Sequence, residues 1–109
     1  MPRKAAKKYC VITTTVSNAE VGERIAEALL DDALAACVQM FPIDSRYLWK
    51  GRIARQTEQM LVIKARRSDF AAVKKAVLKI HDYKVPEIIL LAIEDGLGRY
   101  FDWIEEVTR

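Results

Sequence analysis

The stretch Ser45-Arg46-Tyr47-Leu48-Trp49-Lys50-Gly51 constrains the fold of this chain more than any other. Alternation along a strand sends Ser45, Tyr47 and Trp49 to one face and Leu48 to the other. A chain of 109 residues forms one small core and hides roughly two thirds of its extended-chain surface. Two large aromatic rings on one side of a ribbon then need a second surface. Another copy of the same chain is the simplest source, so the ribbon predicts an assembly whose joints also hold its ligand site.

The remaining elements follow from hydrophobic periodicity. Tyr9 to Val16 reads as a β-branched strand. Ser17 and Glu20 have the spacing of a capping box. Val21, Ile25, Ala28 and Leu29 then place an apolar stripe on a helix that ends near Asp31 or Asp32. Cys37 to Phe41 is a second strand that Pro42 is expected to stop. Ser45 to Trp49 begins the ribbon, Lys50-Gly51-Arg52 turns it, and the return strand includes Ile53. Glu58 to Arg66 carries it into the sheet, with Leu61 and Ile63 on one face and Met60, Val62 and Lys64 on the other. Ser68 or Asp69 can cap a second helix bearing Phe70, Val73, Val77 and Ile80. Ile88 to Ile93 is a continuous apolar run, expected as a central strand. Tyr100, Trp103, Ile104 and Val107 recur at helical spacing in a short last helix.

The order β-α-β-hairpin-β-α-β-α fits an α+β, ferredoxin-like fold: split βαβ units, a four-stranded antiparallel sheet with two helices on one face, an extended hairpin and an extra C-terminal helix. Residues 9–109 form this domain. Residues 1–8 are expected to be a disordered basic tail, since Arg3, Lys4, Lys7 and Lys8 supply four of the 18 basic residues and leave the rest near neutral against 15 acidic ones. That balance argues against nucleic-acid binding, which wants a basic face on the folded domain. The sheet also lacks the run of exposed aromatics an RNA-binding sheet uses. No apolar run is long enough to cross a membrane, and no secretory signal is visible. Cys10 and Cys37 are expected to be reduced thiols in apolar surroundings. The expected location is cytoplasmic.

Several residues are candidates for function. His81, the single histidine, reads as a helix-end residue favoured by the dipole, a metal or ligand contact near a subunit joint, or a general base. Cys37 is a packing residue or a soft-metal ligand. One histidine and two separated cysteines do not form a local ligand motif, so a site within one subunit is doubtful and a shared one stays open. Glu58 and Glu87 cap their strands in solvent, or pair with a buried cation or a ligand. Lys64 and Arg66 share one side of a strand and could hold an anion. Tyr47, Trp49 and Tyr83 pack between subunits or line a small-molecule cleft. No phosphate loop, Cys-x-x-Cys pair or His-Glu-x-x-His motif is present, and no nucleophile–base–acid set can be assembled from spacing.

Ala35-Ala36-Cys37-Val38-Gln39, Pro42, Ser45 to Gly51, Glu58 and Lys64, followed by His81-Asp82-Tyr83-Lys84-Val85-Pro86-Glu87-Ile88 and Tyr100-Phe101-Asp102-Trp103, resemble the signature of the CutA divalent-cation tolerance family. The resemblance runs in order from Tyr9 to Thr108. It implies a compact homotrimer of ferredoxin-like subunits, similar in architecture to the PII signalling proteins. It implies a role in tolerance of divalent metals with no catalytic activity. No tightly bound cofactor is expected, and Cu(II) or another divalent cation is the expected ligand. Carried over by position, Cys37 and His81 are the metal contacts, and Tyr47, Trp49, Glu58, Lys64, Tyr83 and Glu87 lie at the intersubunit cleft. The chain departs from the family at Asp82, where proline is usual, and at Gln39, where asparagine is usual. Two other readings stay open: a PII-like sensor of a small anionic metabolite, and a structural or adaptor trimer with an unknown protein partner.

Overall fold

The computed structural model describes residues 6–109. Its elements are β1 (Tyr9–Val16), α1 (Ala19–Asp31), β2 (Cys37–Trp49), β3 (Arg52–Arg66), a 3-10 turn (Arg67–Asp69), α2 (Phe70–Ile80), β4 (Ile88–Ala92) and α3 (Gly98–Val107). The strands form one antiparallel sheet in the order β2-β3-β1-β4. This is the expected split βαβ arrangement. The part of the basic tail at 1–5 lies outside the described residues. The packed body reaches back to Ala6, which is buried, rather than starting at Tyr9.

Register assigns the two faces. Ile12 opposes Ile63 and Leu90, so these residues share a face with Cys10, Val16, Leu61 and Ala65. That face is closed by Val21, Ile25 and Leu29 of α1 and Val73 and Val77 of α2. Each large aliphatic side chain here stabilises the fold by about 1.5–3 kcal/mol through area removed from water. The opposite face carries Val11, Thr13, Phe41, Met60, Val62, Ile89 and Leu91. Its end at Tyr9 is covered by α3: Tyr9 stacks on Phe101, with ring centroids 5.3 Å apart, and Ala6 and Ile104 complete this second cluster.

Four local expectations need correction. Asn18, not Ser17, caps α1, and its side-chain oxygen accepts from the Val21 N–H at 3.0 Å. Asp69 makes no capping bond, because its carboxylate accepts from Arg66 Nε at 3.4 Å. Pro42 does not stop β2, which runs through it to Trp49. β2 is an edge strand, where a residue without an N–H is tolerated when that position faces away from the neighbour. β4 is also an edge strand rather than a central one, and its apolar residues Ile89 and Leu91 are half exposed.

β2 and β3 are 13 and 15 residues long, but β1 has only eight. The last β1 pairing is Val16 with Gln59. Beyond it, Ile43–Trp49 and Arg52–Glu58 continue as a two-stranded arm. The arm closes on a two-residue turn with φ 50° at Lys50 and 75° at Gly51. Positive φ at both central residues is the turn whose twist matches a hairpin, and glycine adopts it without strain. Leu48 and Ile53 on this arm are 80% and 70% exposed. An isolated two-stranded ribbon is marginal in water, so this arm needs a further surface.

Candidate functional site

The segment that links α2 to β4 folds under the base of the arm. His81 begins it with extended backbone at the end of α2. Its imidazole is fully buried and is held at both nitrogens. Nε2 lies 2.7 Å from the Thr15 carbonyl oxygen, and Nδ1 lies 3.2 Å from the Tyr83 N–H. A carbonyl only accepts, so Nε2 donates and Nδ1 accepts: the arrangement of a neutral imidazole protonated at Nε2. The bond to Thr15 ties the linker to the end of β1 and sets the position of Tyr83, whose ring lies 4.8 Å from the imidazole, centroid to centroid. Asp82, where the resembled family has proline, accepts from the Ser17 hydroxyl at 3.3 Å.

Tyr83 then meets the arm. Tyr47 Oη donates to Gln56 Oε1 at 2.8 Å, Gln56 Nε2 donates to Tyr83 Oη at 2.8 Å, and Tyr83 Oη donates to Glu58 Oε2 at 2.7 Å. Every hydrogen in this relay points toward Glu58, which is 6% exposed. Burial raises the Tyr83 phenol well above its ordinary value, and the bond to the Glu58 carboxylate adds to the shift. Tyr83 is therefore a donor across the whole neutral range. Chains of bonds aligned in one sense polarise one another.

Around this relay lies a cleft of 680 Å³. Tyr47, Trp49, Glu58, Tyr83 and Glu87, five of the six residues expected at the cleft, line it. Glu87 also accepts from the Thr13 hydroxyl at 3.2 Å. Lys64 is not among the lining residues. It pairs in register with Cys37 at the other end of the sheet, and its amine donates to Gln39. Arg66 is engaged by Asp69 and by Glu105, at 3.4 and 3.2 Å. The two cations expected to hold an anion therefore each have a partner in the chain, and neither faces the cleft. Sequence reasoning missed Gln56, which shares the parity of Glu58 on β3, and Thr15. Parity of the arm could have found Gln56. Nothing local marks Thr15.

Cys37 and His81 do not meet within the subunit. Cys37 lies level with Lys64 and Val11, whereas His81 is bonded at Thr15. Four residues of strand separate these levels, roughly 13 Å. A shared metal ion would need both donors within about 2.0–2.3 Å of it. Among the described residues no group of three or more His, Cys, Asp or Glu side chains is placed to hold a metal ion. Cys10 is buried in the core, where desolvation raises its thiol to about 11, so it is an inert packing residue. Among the described residues no helix is long and apolar enough to cross a membrane.

Comparison with known proteins adds a family. The family model described as CutA1 divalent ion tolerance protein matches residues 10–107. The divalent-cation tolerance protein CutA of Archaeoglobus fulgidus is 43% identical over 97 residues, covering 89% of this chain and 95% of that protein. The chloroplastic protein CutA 1 of Oryza sativa is 40% identical over 100 residues; the match covers 91% of this chain but only 56% of the rice protein. The crystal structure of CutA1 from Oryza sativa superposes with a TM-score of 0.91 at 38% identity, covering 96% of this chain and 97% of that one.

Proposed function

Because the chain belongs to the CutA1 divalent ion tolerance family, we propose that it serves divalent-cation tolerance as a non-catalytic homotrimer that binds copper or a similar divalent metal. The match over residues 10–107 carries this reading. Assembly is supported by the half-exposed apolar face of the sheet and by the arm, whose Leu48 and Ile53 have no cover in one copy. Identical neighbours supply that cover at the lowest cost in new surface.

Among the described residues of one subunit no set of donors is placed to hold a metal ion. Cys37 and His81 are separated along the sheet, and both imidazole nitrogens are already bonded. Metal binding under this proposal draws donors from more than one copy, or swings His81 out by breaking its bond to Thr15. Imidazole and thiolate suit Cu(II) and Zn(II). No turnover is assigned under this proposal. No tightly bound cofactor is assigned, and two free cysteines favour a cytoplasmic setting.

Calorimetric titration of the purified assembly with Cu(II) and Zn(II) tests the reading. Saturable micromolar binding that weakens in His81→Ala and Cys37→Ser supports it. Absence of saturable binding, or binding unchanged in both variants, counts against it.

A further inference from the structure

The relay that ends on Glu58 leaves one thing unmatched. Glu58 is 6% exposed and ionisable, yet among the described residues no lysine or arginine lies within ion-pair distance of it. Buried carboxylates are rarely left without a cation. Oε2 accepts from Tyr83. Oε1 belongs to a side chain that lines the 680 Å³ cleft, a volume within the range of small-molecule sites.

The walls of the cleft decide which cation fits. Tyr47, Trp49 and Tyr83 supply aromatic rings, and Ile43, Met60 and Val85 supply apolar surface. A hard divalent ion takes six or more oxygens, and no cluster of metal donors is gathered here. An anion would face Glu58 and also Asp82 and Glu87. Arg46 and Lys84 reach the same cleft, but both are exposed at its rim. A weakly hydrated ammonium group on a carbon frame suits both features: its charge is met by the carboxylate and by ring faces, which attract cations through their quadrupole. We infer that this cleft binds an organic ammonium ion, with the charge seated on Glu58 and the carbon frame held against Tyr47, Trp49 and Tyr83.

Tyr83 is kept as a neutral donor, so the relay presents Glu58 as the negative end and cannot reverse to supply a positive one. The inference stands apart from the metal reading, because Glu58 is not one of the residues assigned to the metal.

The test is calorimetry on the assembled full chain with tetramethylammonium and n-butylammonium chloride, against sodium chloride at matched ionic strength. Saturable binding of an ammonium ion is expected, weakened about tenfold or more in Glu58→Gln. Trp49→Leu, on the exposed arm and outside the core, is expected to weaken binding several-fold; it decides the matter if Glu58→Gln fails to fold. No saturable binding to the unaltered chain, or unchanged affinity in a folded Glu58→Gln or in Trp49→Leu, overturns the inference. A lysine or arginine of a neighbouring copy seated on Glu58 in a crystal of the assembly overturns it as well.

Discussion

Replacing Tyr83 by phenylalanine removes one oxygen and nothing else, so its cost can be worked from the two bonds that oxygen makes. It donates to Glu58 at 2.7 Å and accepts from Gln56 at 2.8 Å. A hydrogen bond to a charged group contributes about 1.5–3 kcal/mol net, and one between neutral groups about 0.5–1.5 kcal/mol. Gln56 is half-buried, so water can replace its lost partner and the second contribution largely drops out. Glu58 is 6% exposed and lines the cleft, so water replaces the lost donor only from the cleft side and much of that bond's contribution is lost. The expected loss is therefore about 2–3 kcal/mol. A domain of this size loses about 4 °C of Tm per kcal/mol, so the midpoint should fall by roughly 8–12 °C. The assay is thermal unfolding at one fixed protein concentration, because the proposed assembly would make Tm concentration-dependent. Repeating Tyr83→Phe in a Glu58→Leu background isolates the pair, and the loss there should shrink by at least about 1 kcal/mol. A shift below about 2 °C, or strictly additive effects in the two backgrounds, would refute the claim that Glu58 is buried and held by Tyr83.

Three further outcomes are expected. Thr14 is fully buried on the helix face and its hydroxyl has no partner among the described residues, so Thr14→Val should stabilise the protein by about 1 kcal/mol or more in chemical unfolding; destabilisation would show that the hydroxyl is bonded. Ala33 follows α1 with φ 52°, a left-handed conformation in which Cβ is strained, so Ala33→Gly should raise Tm by a few degrees despite its entropy cost. Tyr9, Tyr83 and Tyr100 all have phenols raised in the fold, chiefly by burial. A folded-state value above the unfolded one gives stability that is present below the ordinary value near 10 and is lost as pH rises through the folded values. Tm should hold level up to about pH 9.5 and fall beyond it, more gently in Tyr83→Phe.

Much of the fold was legible because periodicity and parity survive tertiary packing. β1 ends where its β-branched run ends, at Val16, and the parity of Tyr47 and Trp49 put both on the cleft side of the arm. The errors have physical causes. Pro42 stops a strand only where its missing N–H is needed, and an edge position removes that need. The run from Ile88 to Ile93 reads as fully buried, yet one face of β4 is open in a single copy. Composition cannot separate burial inside a chain from burial between chains. His81 was legible as important but not for its actual bonds, because the carbonyl it holds lies 66 residues away on β1. The separation of Cys37 from His81 needed the strand register, which no local pattern encodes.

Under the proposed function, identical copies cover the arm and the open sheet face. Light scattering coupled to gel filtration at low micromolar concentration measures this directly. A single particle of about three times the 12.4 kDa chain mass is predicted, and its mass should drop when Leu48 and Ile53 are both changed to lysine. A stable 12.4 kDa particle would contradict the account, since the arm would then persist in water with its apolar surface bare.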